Sequence, residues 1–505
     1  MDKAAKLKHS KPFKDSFWSE FEEVDNLVSK MLEEIQSELQ LERFNITKYK
    51  SNLKVLLLNL FVTYSVSPKM YLAVSRTSGD YSNKRYNSNN IGFKVFKNVF
   101  DALTSLKYIE YHRGYFNNFT ATGQRSRIRA NAKLIKCFKS NNISTAMITH
   151  DKDEETIILR KAKDKSSINK KNVSVSYKDT DEINKMRSNL EVINALLERT
   201  WIDIEISDKE HIKLNERMDK IPDKSPIDFT RRKLKRIFNN SSFEDGGRYY
   251  QVWWQEISSS YRKYITIEGK RTEEEDFAGI HLRMIYALEE IELGSDDIHL
   301  IDGFGNEYRN QVKRAIYIII NAETIESAIN AIKNKLTLPK NKTAIDLFNQ
   351  LKLRHPKIAK YFATGEGIKL QYIDSQIAEK VMLRLARDNI VALPMHDSFI
   401  VRMSHRKRLK QEMIKAYKEV LTAEAIIDKK ESIRKELEQQ EQQRPLVKDQ
   451  INYKDLREPL AGNEIINITK EGIKNYKQYN LREYEWRALE DIRKEILEDI
   501  RKETL

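Results

Sequence analysis

Tyr264-Ile-Thr-Ile-Glu268-Gly269-Lys270-Arg271-Thr272-Glu-Glu-Glu-Asp276-Phe277-Ala-Gly-Ile-His-Leu-Arg283-Met-Ile-Tyr-Ala-Leu288 is the stretch on which the fold turns. Apolar and polar residues alternate up to Glu268, Gly269-Lys270 reads as a turn, and the run to Asp276 reads as the strand coming back. From Phe277 the apolar spacing becomes helical. A second stretch has the same β character: Ile390-Val-Ala-Leu-Pro-Met-His396-Asp397-Ser398-Phe-Ile-Val401. Two apolar runs flank a polar centre there, which predicts a hairpin with His396-Asp397 at its tip. Between them lies Tyr308-Arg309-Asn-Gln-Val-Lys313-Arg-Ala-Ile-Tyr317-Ile-Ile-Ile-Asn321. Arg309, Lys313 and Tyr317 recur every fourth residue, so a helix turns all three the same way.

Taken singly, an aspartate after a strand reads as a turn residue, and cations at helical spacing read as a solvated face. Their order and joint occurrence point elsewhere. Two carboxylates on adjacent strands, facing a helix that offers two cations and an aromatic ring, suit nucleotidyl transfer. Asp276 and Asp397 would hold two Mg²⁺ ions, one activating a 3′-hydroxyl and one steadying pyrophosphate. Arg309 and Lys313 would neutralise the triphosphate, with Tyr317 against the sugar or base.

Asp276-Phe-Ala-Gly-Ile-His-Leu-Arg283 resembles motif A of family-A DNA polymerases, commonly Asp-Tyr-Ser-x-x-Glu-Leu-Arg. Arg309, Lys313 and Tyr317 resemble the fingers helix of the same family. His396-Asp397-Ser398 is similar to motif C in the form used by single-subunit phage-type RNA polymerases. Glu244-Asp-Gly-Gly247-Arg248 is similar to the Asp-x-x-Gly-Arg element that those RNA polymerases place near the template. The resemblance spans roughly residues 231–403. It implies a right-hand polymerase palm, a DNA template-primer and nucleoside triphosphates as partners, and Arg248, His396 and Gln376 near nucleic acid. Ala278 stands where the family has serine, and His281 where DNA polymerases have the glutamate that excludes a 2′-hydroxyl. Asn321 replaces a second fingers tyrosine. The short interval from Asp276 to Arg309 implies reduced fingers.

The rest of the 505 residues is read around this centre. A net charge of +15 and a pI near 9.3 favour a polyanionic partner. A single cysteine, Cys137, excludes an internal disulfide and a cysteine-based zinc cluster and fits a reducing cytoplasm. The first residues lack a signal-peptide core, and the longest apolar run, Val55 to Val62, is too short to cross a bilayer.

Residues 1–45 form a helical segment with Val24, Leu27, Val28, Met31 and Ile35 on one stripe. Residues 46–145 read as a winged helix-turn-helix. Its elements are an apolar helix over Leu53–Tyr64, a strand from Met70 to Ser75 and a helix over Gly92–Leu106 that leaves Lys94, Lys97 and Asn98 off its apolar face. A hairpin wing then carries Arg125, Arg127 and Arg129 toward phosphates. The pattern is similar to winged-helix modules of replication initiators. Residues 146–230 read as a lysine-rich linker with a thumb-like part and a hairpin of Thr156–Leu159 with Val173–Ser176. Asp203 and Glu205 read as structural. Residues 231–405 form palm and fingers, opening on Arg231-Arg-Lys-Leu-Lys-Arg236, a run expected as a solvated helix face that could track a nucleic-acid backbone. Trp253-Trp254 reads as core. Residues 406–505 form a charged helical region, with helices from Arg406 to Gln443 and from Leu481 to Leu505, open to a protein partner.

The expectation is an α+β chain with a polymerase palm, most simply a DNA polymerase replicating a plasmid, phage or other mobile element. An RNA polymerase or primase of the same superfamily is the nearest alternative. A DNA-binding initiator or regulator whose palm has lost activity is the rival of a different class.

Overall fold

The computed structural model describes residues 10–117, 122–162, 172–220, 226–293 and 297–427, and the chain is α+β. The helix expected over Leu481–Leu505, most of the 406–505 region, Met1 to His9 and Lys163, Lys165, Lys170 and Lys171 lie outside these residues.

Two hydrophobic cores form. The first gathers side chains from Phe17 to Ile148. At its centre is helix Ile46–Val66, buried on every side from Asn52 to Thr63. A helix that is apolar all round must be surrounded. Helix Glu22–Leu39 covers it with the expected stripe, Val24, Leu27, Val28, Met31 and Ile35. Helix Phe93–Ser105 adds Phe96, Val99, Phe100 and Leu103. A four-stranded sheet closes the unit in the order Ser10–Pro12, Tyr71–Val74, Ser126–Ala130, Ile109–His112. Residues 46–145 are therefore not a self-contained module: Ser10–Pro12 pairs in parallel with Tyr71–Val74, and the 22–39 helix shares the same core.

The second core runs from Ile157 to Leu421 around a five-stranded sheet. Its order is Ile202–Ile204, Ile265–Ile267, Lys270–Asp276, Ser398–Arg402, Leu393–Pro394. The predicted return at Gly269 is present, one residue earlier than expected. Ile267 pairs with Lys270, and Glu268 and Gly269 both have left-handed φ (50° and 64°), as a type I′ turn requires. Helix Arg406–Leu421 packs on the two long strands, and helix Gly367–Arg387 packs on it and on strand Ser242–Tyr250. Trp253 and Trp254 are fully buried in this core.

Two readings of the sequence need correction. The 146–230 stretch is not mainly a linker. Ile157–Leu159 joins a three-stranded sheet in parallel with Lys235–Asn239, helix Asp181–Arg199 packs on helix 367–387, and Ile202–Ile204 is an edge strand of the central sheet. The expected Thr156–Ser176 hairpin survives as a single antiparallel bridge between Arg160 and Ser174. The basic run from Arg231 is no helix face: it leads into strand Lys235–Asn239, with Arg232 and Arg236 buried. The Arg236 guanidinium donates to Gly247 O (2.9 Å), Ser375 Oγ (3.0 Å) and Glu379 (2.9 Å), and Arg232 Nη1 donates to Glu198 O (3.2 Å). Arg231 pairs with Glu256, and Lys235 with Glu154 at 2.7 Å. Ion pairs also tie the cores together. Lys11 binds the buried Asp228, and Arg85 bridges Glu155 (2.8 Å) and Asp179 (3.0 Å).

Candidate active site

Along strand Lys270–Asp276 successive side chains alternate between faces. Glu273 and Glu275 turn toward helix Arg406–Leu421, where Arg406 (3.0 Å to Glu273) and Lys410 (3.2 Å to Glu275) neutralise them. Glu274 and Asp276 take the other face. There Glu274 accepts a hydrogen bond from Ser398 Oγ (2.7 Å) and pairs with Arg262 (3.3 Å). Asp276 is aligned with Ser398 across the antiparallel pair, so Asp397 lies one residue from its direct partner. The Phe277 amide approaches the Asp397 carbonyl at 3.4 Å. Asp397 leaves a tight turn in which Met395 N donates to Ser398 O (2.8 Å) and His396 has φ 75°. A left-handed φ on a bulky side chain is strained and holds the carboxylate at the tip of the sheet.

Behind this pair lies a buried polar chain. Arg248, on strand Ser242–Tyr250, donates from Nε to Asp374 Oδ2 at 2.6 Å and from Nη2 to His281 Nε2 at 2.9 Å. A guanidinium only donates, so His281 Nε2 is an acceptor and the neutral ring carries its proton on Nδ1. Burial and the Arg248 charge push His281 down to about 4. Burial raises Asp374 to about 6 against the pull of Arg248, and the nearby Asp397 adds to the rise. His396, near Tyr250 (ring centroids 5.4 Å apart), is held at about 4 by burial and by Arg248. Gly247 shapes the approach of this strand to its neighbours. Its φ is +74°, and a Cβ would stand 2.7 Å from Phe238 Cε1 and 3.0 Å from Ser375 Oγ.

Helix Arg309–Asn321 buries Val312, Ala315, Ile316, Ile319 and Ile320 and turns Arg309, Lys313 and Tyr317 the other way. Tyr317 is 54% exposed and its ring lies nearly parallel to His281, centroids 6.2 Å apart at 16°. Helix Arg309–Asn321 thus meets helix Ile280–Leu288 through these two rings. Arg309 is held by Asp297 (Nε to Oδ2, 2.5 Å), which also accepts from the His299 amide at 2.9 Å. Gln376 is half-buried beside Tyr372 on helix 367–387.

In the N-terminal unit, Arg125, Arg127 and Arg129 follow the expected alternation on strand Ser126–Ala130 and its approach. Arg129 pairs with Glu110 and its guanidinium lies over the Tyr71 ring at 4.8 Å; Arg125 pairs with Asp80 at 2.9 Å. Asp203 accepts from its neighbour Ile204 N (2.7 Å) and from Trp201 Nε1 (3.3 Å) on the edge strand, two strands from Asp276.

Sequence reading missed Asp374, Asp297 and His299. Asp374 left a signal: it falls in register with Leu370, Ile377, Ala378 and Val381 on the buried face of its helix. A carboxylate on an apolar stripe needs a cationic partner. Asp297 left none, since it lies in a connection between helices.

Among the described residues no group of three or more His, Cys, Asp or Glu side chains converges as a metal cage. Asp276 and Asp397 fit a different kind of site. Mg²⁺ keeps much of its water and is bound through one or two carboxylates plus substrate phosphates. The Oδ1 of Asp276 is shielded from solvent, and the Asp397 charge is felt by Arg248, Asp374, His281 and His396. No protein-family model matches the chain, and no curated protein matches it. Among the described residues no helix is long and apolar enough to cross a membrane.

Proposed function

We propose that this protein is a template-dependent nucleic-acid polymerase, a nucleotidyltransferase with a family-A-like palm, working on a DNA template-primer with deoxynucleoside triphosphates. The observation that carries the reading is the pairing of Asp276 with Ser398. It brings Asp276 and Asp397 to the same end of the sheet, and the helix bearing Arg309, Lys313 and Tyr317 comes near through the Tyr317 ring beside His281.

Asp276 and Asp397 would hold two Mg²⁺ ions, which when bound lower the pKa of the attacking 3′-hydroxyl and stabilise charge on the leaving pyrophosphate. Arg309 and Lys313 neutralise the triphosphate as negative charge builds on it. Arg309 does so by exchanging Asp297 for phosphate oxygens. Tyr317 and His281 present a stacked pair of rings to the sugar and base. Arg248 is oriented by Asp374 and keeps His281 in one tautomer. The N-terminal unit, with its helix-strand-helix-hairpin order, binds DNA as a winged helix would.

The test is primer extension by the purified full-length chain with Mg²⁺ and separate pools of dNTPs and rNTPs. Extension with dNTPs is expected, lost by at least about 10³-fold in Asp276→Asn and Asp397→Asn while DNA binding persists. Near-parental extension by either variant sinks the metal-site assignment. A stronger response to rNTPs moves the reading to an RNA polymerase or primase, and binding without extension moves it to an initiator.

A further inference from the structure

The hairpin of the N-terminal unit continues beyond its sheet. Strands Ile109–His112 and Ser126–Ala130 pair within the four-stranded sheet. Past Gly114 and Arg125 they carry on as a separate two-stranded ribbon, Tyr115–Asn117 with Thr122–Gln124. The ribbon packs into neither core, and its aromatic side chains are bare: Tyr115 is 64% and Phe116 60% exposed.

Phe116 is nonetheless held in place. It pairs with Gly123, and a Cβ at Gly123 would stand 2.7 Å from Phe116 Cδ2. The ring therefore lies across the ribbon over the glycine, where any other residue would displace it. A Cβ at Gly114 would stand 2.4 Å from Gln124 O, so a second close backbone approach fixes where the ribbon leaves the sheet. An isolated exposed hydrophobe is ordinary. Successive strand residues face opposite ways, so Phe116 shares its face with Gly123, Arg125 and Arg127 while Tyr115 takes the other, and a ring seated over a glycine beside two arginines forms a built platform.

Charge says what the platform meets. From Arg113 to Ala130 the sequence has four arginines and no acidic residue. Arg125 and Arg127 lie on the Phe116 face, Arg125 in an exposed ion pair with Asp80 (2.9 Å) that a phosphate would replace, and Arg113 is exposed on the other face. Cations that track a phosphate backbone beside aromatic faces are how proteins hold single strands, because every unpaired base has a free π-face. Bases inside a duplex are already stacked and have none to offer.

We infer that the Tyr115–Asn117/Thr122–Gln124 ribbon is a single-strand binding platform, on which Phe116 stacks an unpaired base while Arg125 and Arg127 on the same face follow the phosphates. The inference stands on this unit alone and does not require the polymerase reading.

The test is fluorescence anisotropy of the full-length chain on a labelled single-stranded oligonucleotide and on a blunt duplex, without nucleotides, over a range of salt. Phe116→Ala should weaken single-strand binding by about tenfold, and Tyr115→Ala on the opposite face should leave it within about twofold. The log–log salt slope should stay unchanged, because stacking releases no counterions. Phe116→Trp should restore affinity, and Gly123→Val, which pushes the ring aside, should mimic Phe116→Ala. Arg127→Gln should instead flatten the slope. Both rings are exposed, so the alanine variants should keep the parental thermal midpoint. Unchanged single-strand affinity in Phe116→Ala overturns the proposal. An equal loss on the blunt duplex also overturns it, in favour of groove insertion. Binding that behaves as expected in a protein that never extends a primer leaves it standing and counts against the polymerase alone.

Discussion

Asp374 and Arg248, 126 residues apart in the chain, form an ion pair at 2.6 Å that is almost fully removed from water. The same guanidinium hydrogen-bonds His281, so one carboxylate on the helix before the Asp397 hairpin orients a group on the helix after Asp276. Asp374, Arg248 and His281, with the Tyr317 ring beside it, are thereby coupled through the protein interior rather than through solvent.

Removing one charge of this pair should cost more than removing both. Asp374→Asn keeps the shape and an acceptor oxygen but leaves Arg248 buried without its counter-charge. Urea unfolding should show a loss of about 3–5 kcal/mol. The double variant Asp374→Leu with Arg248→Met should recover much of it. Additive losses in the cycle would show that the pair is not coupled in this way.

Gly247 tolerates no side chain. Alanine at φ +74° carries a conformational cost of about 1–2 kcal/mol, and its Cβ meets the Phe238 ring at 2.7 Å. Gly247→Ala should lower stability by about 2–4 kcal/mol in urea or thermal unfolding. If the protein extends primers, the substitution should also weaken extension, since the shifted strand carries Arg248. A neutral substitution would mean that the strand relaxes freely.

Acidification below neutrality should destabilise the fold before the bulk of the carboxylates titrate. His281 and His355 are both buried and held at about 4. His355 donates from Nε2 to the Ile298 carbonyl (3.3 Å), so its Nδ1 accepts from the Tyr286 hydroxyl at 3.0 Å. Folded pKa values below the unfolded 6.5 mean stability that is present above pH 6.5 and lost as pH falls toward 4. The loss is about 1.4 kcal/mol per pH unit for each ring. Asp374, raised to about 6, acts in the opposite sense over the same window and offsets part of it. Urea midpoints from pH 7 to 4 should fall, and the slope should shrink in His355→Gln. A midpoint independent of pH over that range would contradict the neutral assignment.

His281 bears on sugar choice. Its ring stands between Arg248 and Tyr317, where it crowds any group beside it without needing a favourable hydrogen bond. If the protein polymerises dNTPs, His281→Gly should raise rNTP incorporation by about tenfold or more while dNTP use is largely kept. Single-nucleotide extension with paired dNTP and rNTP pools reads this directly. Unchanged discrimination would remove His281 from that role.

Much of this architecture was legible in local pattern. Alternation from Tyr264 to Glu268 with the turn that follows, and the β-rich runs around His396-Asp397, foretold both hairpins, and the apolar stretch of Leu53 to Val62, interrupted by Lys54 and Asn59, foretold a helix. Periodicity of that kind reports how a segment divides between water and core, which short-range composition controls. The fourfold spacing of Arg309, Lys313 and Tyr317 likewise placed them on one face of a helix.

Partnership across the chain had no such record. A run of arginines and lysines from Arg231 reads as solvated because an isolated charge avoids burial. Arg236 is buried all the same, because Glu379, Ser375 and the Gly247 carbonyl meet it there. The parallel pairing of Ser10–Pro12 with Tyr71–Val74, the hold of Asp297 on Arg309 and the Asp374–Arg248–His281 chain are also products of packing. In each case desolvation makes an unpaired polar group costly, and only the assembled fold determines which distant group removes that cost.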